Sequence, residues 1–228
     1  MSRYLRLGVL VLAVAALIGG AYKGYCDRRD RTPDYALAEI ARAVQTEDRA
    51  LFETYVDVDA VLAAMHEDAT ALLADNIEAL HERYPADWFF HHDGAFMRSY
   101  MAERRAADIA FARAALDYYF DDARVPVTKE DGAARWGSDE MRAFAASYAI
   151  VPGTADVQGE RARVTCLVRG DGSAYGRLMP EGSVTLELKR QEDGRYKLVR
   201  IRTDAEHPYG FYAMIDGAER YWELQGWD

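Results

Sequence analysis

Cysteine is scarce in this chain: its 228 residues include only Cys26 and Cys166. The two lack the paired spacing of a zinc or redox motif. Cys166 stands in an alternating pattern, where a small buried hydrophobe is the usual occupant. Cys26 lies in a polar stretch near the N-terminus. The sequence therefore favours two separate thiols over a disulfide.

Motifs of common enzyme chemistries are missing as well. His66-Glu67 and His81-Glu82 begin like a zinc-protease helix, but neither is followed by the second histidine that such a helix needs. No Gly-x-Ser-x-Gly turn of a serine hydrolase is present. His91-His92-Asp93 is interpreted as a polar turn into a helix rather than as a metal site. The sequence predicts no metal and no cofactor, and it favours a role without catalysis.

Positive charge is concentrated at the N-terminus. The chain has 28 basic and 38 acidic residues, a net charge of −10, and residues 1–31 hold six of the basic but two of the acidic ones. Residues 32–228 therefore carry a net charge of −14. Such a surface repels phosphate backbones, and no basic stripe interrupts it. The sequence predicts no nucleic-acid binding.

Residues 7–22 contain no charge, and Arg3 and Arg6 stand directly before them. An uncleaved anchor needs about 20 apolar residues, so these residues would make a short span. A signal peptide would instead be cut near Ala21, after small residues. In both interpretations the rest of the chain is expected outside the cytoplasm, because flanking basic residues stay on the inner side. The opposite orientation stays open, because a second basic cluster lies within residues 23–31.

The favoured interpretation is a single-pass protein of the inner membrane, anchored by residues 1–22, with most of the chain extracytoplasmic. The alternative is a periplasmic protein released by cleavage near Ala21. Residues 23–32 are polar and charged and are predicted to be a linker. Residues 33–228 are predicted to form one domain, since no second boundary is visible.

Helix signals dominate the first part of this domain. Thr32-Pro33, Asp48 and Asp57 each stand where a helix N-cap is expected. After Asp57 the apolar residues keep a helical period as far as Pro85, which predicts one long helix.

A further helix is expected from Asp93 to about Phe120. Its apolar side is interrupted in the middle by polar residues, so one helix or two remain open; these residues are Arg104, Arg105 and Asp108. A short helix is predicted from Ser138, and an amphipathic one from Phe211 to Trp222.

From Ser147 onward the pattern becomes the alternation typical of strands. Extended segments are predicted over residues 148–151, 161–169, 183–190 and 196–203. Asp193-Gly194 is a strong signal for a hairpin turn between the last two. Helices followed by antiparallel strands define an α+β fold, in which a helical half packs on a meander of three or four strands.

The segment Tyr35–Asp57 (YALAEIARAVQTEDRALFETYVD), with the late strands, resembles a group of bacterial membrane-anchored proteins of unknown function. These have a nuclear-transport-factor-like or cystatin-like cone. In them a helix, a polar turn and a short helix ending in aromatic-Val-Asp precede a longer helix packed on a meander. The resemblance implies a cone-like α+β fold, to which residues 86–146 add helical material.

Cone-like folds of this type can host a pocket between the long helix and the sheet. The candidates to line it are His66, Tyr148, Cys166 and Tyr196. A histidine that faces a tyrosine in such a pocket can support acid–base chemistry. A small-molecule-binding protein or acid–base enzyme is therefore the alternative function.

Aromatic residues cluster at Trp88-Phe89-Phe90 and near the C-terminus, where Trp222 and Trp227 lie. Such residues fill cores, and they also form the hot spots of protein interfaces. They are the candidates for contact with a protein partner or a second copy of the chain. With the membrane segment at residues 7–22, they favour a membrane-tethered interaction or assembly module.

Overall fold

The computed structural model describes residues 31–121 and 132–226. The predicted anchor or signal peptide, nearly all of the predicted linker and Trp227 lie outside these ranges. None of the described helices combines the length and the apolar composition of a membrane span.

Four helices come first: α1 (Pro33–Gln45), α2 (Arg49–Tyr55), α3 (Val58–Asp75) and α4 (Ile77–Arg83). The three predicted caps are confirmed. Side-chain oxygens of Thr32, Asp48 and Asp57 accept hydrogen bonds from backbone N–H groups three residues on, at 3.2, 3.0 and 3.1 Å. Each bond satisfies a donor that the first helical turn leaves unpaired.

The prediction of one long helix between Asp57 and Pro85 is wrong, because the chain breaks at Asn76. The Asn76 Nδ2 donates to the carbonyl of Leu72 at 2.8 Å, and its Oδ1 accepts from the Tyr212 hydroxyl at 3.0 Å. The side chain is thus fixed from both ends. Asn76 ends α3, and α4 begins at the next residue.

A 3-10 turn (Trp88–His91) leads to α5 (Gly94–Asp121), which is one continuous helix. Its predicted cap is confirmed, since Asp93 Oδ1 accepts from the Phe96 N–H at 2.7 Å. The polar residues in its middle do not divide it. Arg104 Nη2 donates to Asp108 Oδ1 at 2.9 Å, an i,i+4 pair that supports the helix. Helix α6 (Gly132–Ser147) begins earlier than predicted.

The second part is a sheet of five antiparallel strands, which confirms the α+β class and the antiparallel pairing. The strands are β1 (Tyr148–Pro152), β2 (Asp156–Gln158), β3 (Arg161–Gly170), β4 (Glu181–Arg190) and β5 (Tyr196–Arg202). The order is β1-β3-β4-β5, and β2 also pairs with β3.

The sequence predicted three or four strands and missed β2. Strands β1 and β2 lie on the same edge of β3, as one edge strand interrupted after Pro152. The three residues of β2 are all exposed, so no alternation marks them in the sequence.

The predicted hairpin turn at Asp193-Gly194 is confirmed. Gly194 has a φ of 87°, a conformation that L side chains rarely adopt, and the Gln191 N–H donates to the Arg195 carbonyl at 2.7 Å. At the other edge of β5, the Asp57 N–H donates to the Leu198 carbonyl at 2.9 Å. The start of α3 is thereby fixed to the sheet.

Buried apolar side chains form two clusters. The sheet core lies between the sheet and helices α1 to α3, the C-terminal half of α5, and α6, and it includes Met214 and Tyr221 of the C-terminal helix; Ile40, Leu186 and Leu198 belong to it. The helical core lies among the end of α3, α4, the 3-10 turn, the start of α5 and α7 (Phe211–Leu224); Leu80 and Met97 belong to it.

A polar belt lies on α3 and α5 between the residues that these helices give to the two cores. It consists of His66 and Asp68 on α3, Arg104 and Asp108 on α5, and Arg200 on β5. Arg200 Nε donates to Asp68 Oδ2 at 2.8 Å, which ties α3 to the sheet. On α3 and α5 the two cores are therefore separated by charged side chains, while α7 contributes apolar side chains to both cores.

Candidate functional site

A line of side chains spaced four residues apart runs from the 3-10 turn along α5. Residues at this spacing share one face of a helix. We call this line as far as Arg104 the aromatic stripe. It consists of Trp88 and Phe96, which are exposed, and His92, Tyr100 and Arg104, which are half-buried.

The members of the aromatic stripe contact one another in sequence. Ring centroids lie 5.6 Å apart for Trp88 and His92, 3.9 Å for His92 and Phe96, and 5.9 Å for Phe96 and Tyr100. The Arg104 guanidinium lies 5.7 Å from the Tyr100 ring centroid. Because each ring is held by its neighbours, the stripe is an ordered surface.

Two large rings of this stripe are unusually accessible. Trp88 is 47% exposed and Phe96 is 39% exposed. Contiguous exposed apolar surface on a folded protein is a mark of an interaction site. Trp, Tyr and Arg are the residue types enriched in interface hot spots, and the stripe contains all three.

A second exposed face of α5 lies beside the stripe and carries small side chains. Its members, spaced three or four apart, are Ala95, Ser99, Ala102, Ala106 and Ala110. Alanine is also the best helix former, so these residues alone identify nothing. Next to a stripe of rings, they form a surface that another helix can approach closely.

The predicted partner-contact residues separate into different environments. Trp88 heads the aromatic stripe, whereas Phe89 and Phe90 are buried in the helical core at 4% and 3% exposure. Trp222 is half-buried beside the sheet core. Only Trp88 among these described residues therefore enters the candidate site.

Tyr148, one of the predicted pocket residues, holds a loop in place. Its hydroxyl donates to the Tyr175 carbonyl at 2.7 Å and accepts from the Met179 N–H at 3.1 Å. Burial raises the pKa of Tyr148 to about 12. The phenol therefore stays neutral at ordinary pH and anchors the connection between β3 and β4.

Cys166 and Tyr196 lie in the sheet core. Cys166 is completely buried, with its Sγ 3.8 Å from the Val164 carbonyl oxygen. Burial raises the pKa of the Cys166 thiol to about 12. Because the thiolate is the reactive form, this cysteine acts as a core residue and not as a nucleophile.

The strand candidates do not converge. Tyr148 lies opposite Gly170 at one end of β3, while Tyr196 lies opposite Arg190, beyond the other end. At about 3.3 Å per residue, ten residues along a strand place them roughly 33 Å apart. A single small ligand does not contact both.

His66 lies in the polar belt and faces α5. Its Nε2 is 3.6 Å from Asp108 Oδ2, beyond hydrogen-bond distance, and no described residue hydrogen-bonds to this nitrogen. Asp108 instead accepts from Arg104. A histidine beside a carboxylate is one element of acid–base chemistry. His66 thus lies at the end of the line of side chains that runs from Trp88 through Arg104 to Asp108.

Two polar clusters have no signal in the sequence. Glu140 is buried and accepts from the Tyr175 hydroxyl at 3.0 Å. Asp216 accepts from Arg83 Nε and Nη2 at 2.8 and 2.6 Å and also from the Tyr84 hydroxyl. The partners are far apart in the chain, so local patterns do not reveal them. Both clusters join α7 or its neighbours to other helices and loops.

His91, at the end of the 3-10 turn, has structural partners, whereas no described residue hydrogen-bonds to Nε2 of the neighbouring His92. His91 Nε2 lies 2.8 Å from the Pro85 carbonyl oxygen. The His91 and His81 rings pack perpendicular to each other, with their centroids 4.5 Å apart. Within residues 31–121 and 132–226, no group of three or more His, Cys, Asp or Glu side chains is arranged to hold a metal ion.

No family model matches the sequence, and comparisons with curated proteins and with solved structures give no match. The resemblance to cone-like membrane-anchored proteins thus stays a prediction.

Proposed function

We propose that this protein is a membrane-tethered interaction domain without catalytic activity, which binds a helix of a partner protein along α5. The aromatic stripe carries this proposal, because it exposes Trp88 and Phe96 in an ordered row. In this proposal residues 1–22 tether the chain to the membrane and the rest of the chain lies outside the cytoplasm. The domain is further proposed to be related to the cone-like bacterial proteins.

A helix is the occupant that fits this surface. The stripe and the small-residue face both run along α5, so their long dimension matches a second helix axis. Alanines allow the axes to approach, and the rings of Phe96 and Trp88 fit into the grooves of the incoming helix. Binding of amphipathic helices to apolar grooves is a common recognition mode.

A partner of another sequence is favoured over a second copy by charge. Residues 32–147, which include the stripe, contain 11 basic and 23 acidic residues, a net charge of −12. α5 itself is neutral, with four basic and four acidic residues over residues 94–121. The like charge that opposes the approach of two copies therefore comes from the acidic residues around α5. A helix with apolar side chains and basic flanks meets the same surface favourably.

The small-molecule alternative is not proposed. Its four candidate residues fall in separate places: Tyr148 at one end of the sheet, Tyr196 at the other, Cys166 in the sheet core and His66 in the polar belt. No observation on the described residues favours a shared ligand for them.

The test is a cross-linking experiment on the full-length chain in membranes, followed by binding. A photo-reactive amino acid replaces Phe96, and a control replaces Val157, which is half-exposed on β2. The protein captured from position 96 is identified, purified and titrated against the wild-type chain and variants. Phe96→Ala and Ala102→Arg are expected to weaken binding at least tenfold, as hot-spot changes do, while Val157→Ala does not.

Equal capture from positions 96 and 157, or equal affinity of all variants, contradicts the proposal. Capture of a second copy of this chain also contradicts it, because it replaces the partner protein by self-association. Recovery of the chain in the soluble fraction, beginning near Tyr22, contradicts the tether. The proposal that α5 binds a partner helix is then decided by the binding titrations alone.

A further inference from the structure

Three cations lie side by side on the outer face of the sheet. Arg161 on β3 is opposite Lys189 on β4, which is opposite Lys197 on β5. Directly opposite residues of an antiparallel pair point to the same face, about 5 Å apart at Cβ. We call these three residues the cationic row.

The burial pattern confirms that this is the outer face. Residues of β3 alternate, with Arg161, Arg163 and Thr165 exposed and the residues between them buried. Lys189 is exposed and Lys197 is half-exposed. The row therefore meets solvent, on the face opposite to the sheet core.

No acidic side chain that the structure describes lies within ion-pair distance of the row. On the next level of the sheet, Glu187 lies between two arginines, at 3.5 Å from Arg163 Nε and 3.4 Å from Arg202 Nη1. No such acid pairs with Arg161, Lys189 or Lys197. Like charges directly opposite on a sheet destabilise it, so an external anion over the row is stabilising.

The sheet as a whole differs in charge from the rest of the domain. Residues 148–202 contain ten basic and seven acidic residues, a net charge of +3, in a chain whose total is −10. The surrounding segments are strongly acidic. The electrostatic field of the domain therefore has a positive sheet and a negative helical side.

The chain enters the domain at the same end of the sheet as the row. A Cβ placed on Gly194 would lie 3.1 Å from Arg31 Cδ, so the Arg31 side chain packs on the β4–β5 turn. Lys189 and Lys197 lie on the two strands that this turn connects. The first described residue is thus adjacent to the cationic end.

The sequence before Arg31 sets how far this end lies from the uncharged residues 7–22. Residues 23–31 are nine in number, and nine residues span at most about 30 Å when fully extended. Lys23, Arg28 and Arg29 add positive charge to this short connection. A bilayer that holds residues 7–22 is therefore within reach of the row.

From these observations we infer that the cationic row binds the anionic phospholipid headgroups of the membrane in which the chain is tethered, and so orients the domain. This inference rests on the proposed tether. It places the sheet end against the bilayer and turns the acidic helices away from it. Each lysine or arginine near an anionic membrane surface favours this orientation by roughly fivefold.

The experiment uses the full-length chain with Cys26→Ser, reconstituted in vesicles of either mixed anionic and zwitterionic phospholipid or zwitterionic phospholipid alone. One fluorescent probe is attached at Gln158→Cys, beside Arg161, and another at Gly172→Cys, beyond the opposite end of β3. At Gly172 an added Cβ meets nothing within 4 Å. A headgroup-bound quencher reports which probe is close to the bilayer.

In anionic vesicles the Gln158 probe is expected to be quenched and the Gly172 probe is not. The difference should shrink in zwitterionic vesicles and in high salt. Neutralising the row with Arg161→Gln, Lys189→Gln and Lys197→Gln should reduce the population whose row faces the bilayer. The ratio of this population to molecules in other orientations should fall by on the order of 100-fold. The control variant removes three arginines from α5 (Arg98→Gln, Arg105→Gln and Arg113→Gln) and should leave the difference unchanged.

Two failures are distinguishable. If the chain does not float with either kind of vesicle, the tether is contradicted and the inference fails with it. If the chain floats but both probes are quenched equally, or the row variant behaves like the α5 control, the lipid contact alone is overturned and the tether stands.

Discussion

The sheet and the helical part of this protein are opposites in charge and in how they are held together. Residues 148–202 carry a net charge of +3, and residues 32–147 carry −12. In the sheet, short-range pairing and alternation decide which side chains are buried. In the helical part, contacts between residues far apart in the chain fix the packing, as in the Arg83–Asp216 pair.

The basic residues of this acidic chain are concentrated on the sheet. Ten of the 22 basic residues of residues 32–228 lie on the sheet segment, although that segment is a quarter to a third of the length. The helical part keeps the exposed rings. One region is thus suited to an anionic surface and the other to an apolar helix.

The largest expected effects come from the two cores. Leu198→Ala in the sheet core and Leu80→Ala in the helical core each remove a fully buried side chain, and each should lower the free energy of unfolding by about 2–5 kcal/mol. Because the polar belt separates the cores, the double variant should be additive within about 0.5 kcal/mol. Urea unfolding followed by circular dichroism measures this.

A coupling well above about 0.5 kcal/mol between Leu198→Ala and Leu80→Ala contradicts two separate cores. Leu186→Ala combined with Leu198→Ala is the matched control. These residues share the sheet core and neighbouring strands, so their effects should not add.

Asp216→Asn should destabilise the helical part by about 1–2 kcal/mol, since it weakens charged hydrogen bonds from Arg83. Burial acts to raise the pKa of Asp216, but the hydrogen bonds from Arg83 and Tyr84 outweigh it and lower that pKa below its usual value. A lowered folded-state pKa gives stability that is present above the unfolded-state pKa and lost as pH falls through the folded-state pKa.

The free energy of unfolding of the wild type should therefore fall as the pH is lowered and Asp216 becomes protonated. That of Asp216→Asn should fall less steeply in the acid range, as measured by unfolding curves at a series of pH values. Asp139→Asn is the control, because Asp139 is exposed and its ion pair with Arg142 is long, at 3.6 Å. Parallel acid limbs for wild type and Asp216→Asn contradict the role given to this pair.

Cys166 should not react with a thiol reagent in the folded Cys26→Ser chain. Its thiol is buried and its pKa is raised to about 12, so the reactive thiolate is nearly absent up to mildly alkaline pH. One thiol should become reactive after unfolding in urea. Rapid stoichiometric labelling in native buffer contradicts a closed sheet core.

The smallest expected effect on stability is that of the aromatic stripe. Phe96→Ala and Trp88→Ala should change the free energy of unfolding by about 1 kcal/mol, because these rings are only partly buried and lie outside the fully buried cores. Phe89→Ala, one residue from Trp88 but buried, should cost about 3–5 kcal/mol. Thermal unfolding of the three variants shows whether the stripe is kept for stability or for binding.

Much of the fold follows from local patterns. The caps at Thr32, Asp48 and Asp57 and the Asp193-Gly194 turn could be predicted because each signal acts within four residues. The break at Asn76 could not, because Tyr212, from a distant helix, fixes its side chain. Strand β2 has no buried residue and so leaves no pattern.

The candidate site was only partly visible in the sequence. The sequence predicts Trp88 as a contact residue, whereas Arg104 and Asp108 stand in it as polar residues that interrupt the apolar side of α5. In the structure they continue a four-residue spacing that begins at Trp88. The spacing itself was present in the sequence, whereas the exposure of Phe96 depends on which face of α5 is covered by other helices.

The most direct test of the proposed function is a cross-linking scan along α5 in membranes. A photo-reactive residue is introduced at one position at a time over residues 95–110 of the full-length chain. The account predicts one partner protein, captured from the stripe and the small-residue face with a period of three to four residues. Capture without this period, or no capture from any of these positions, would contradict it.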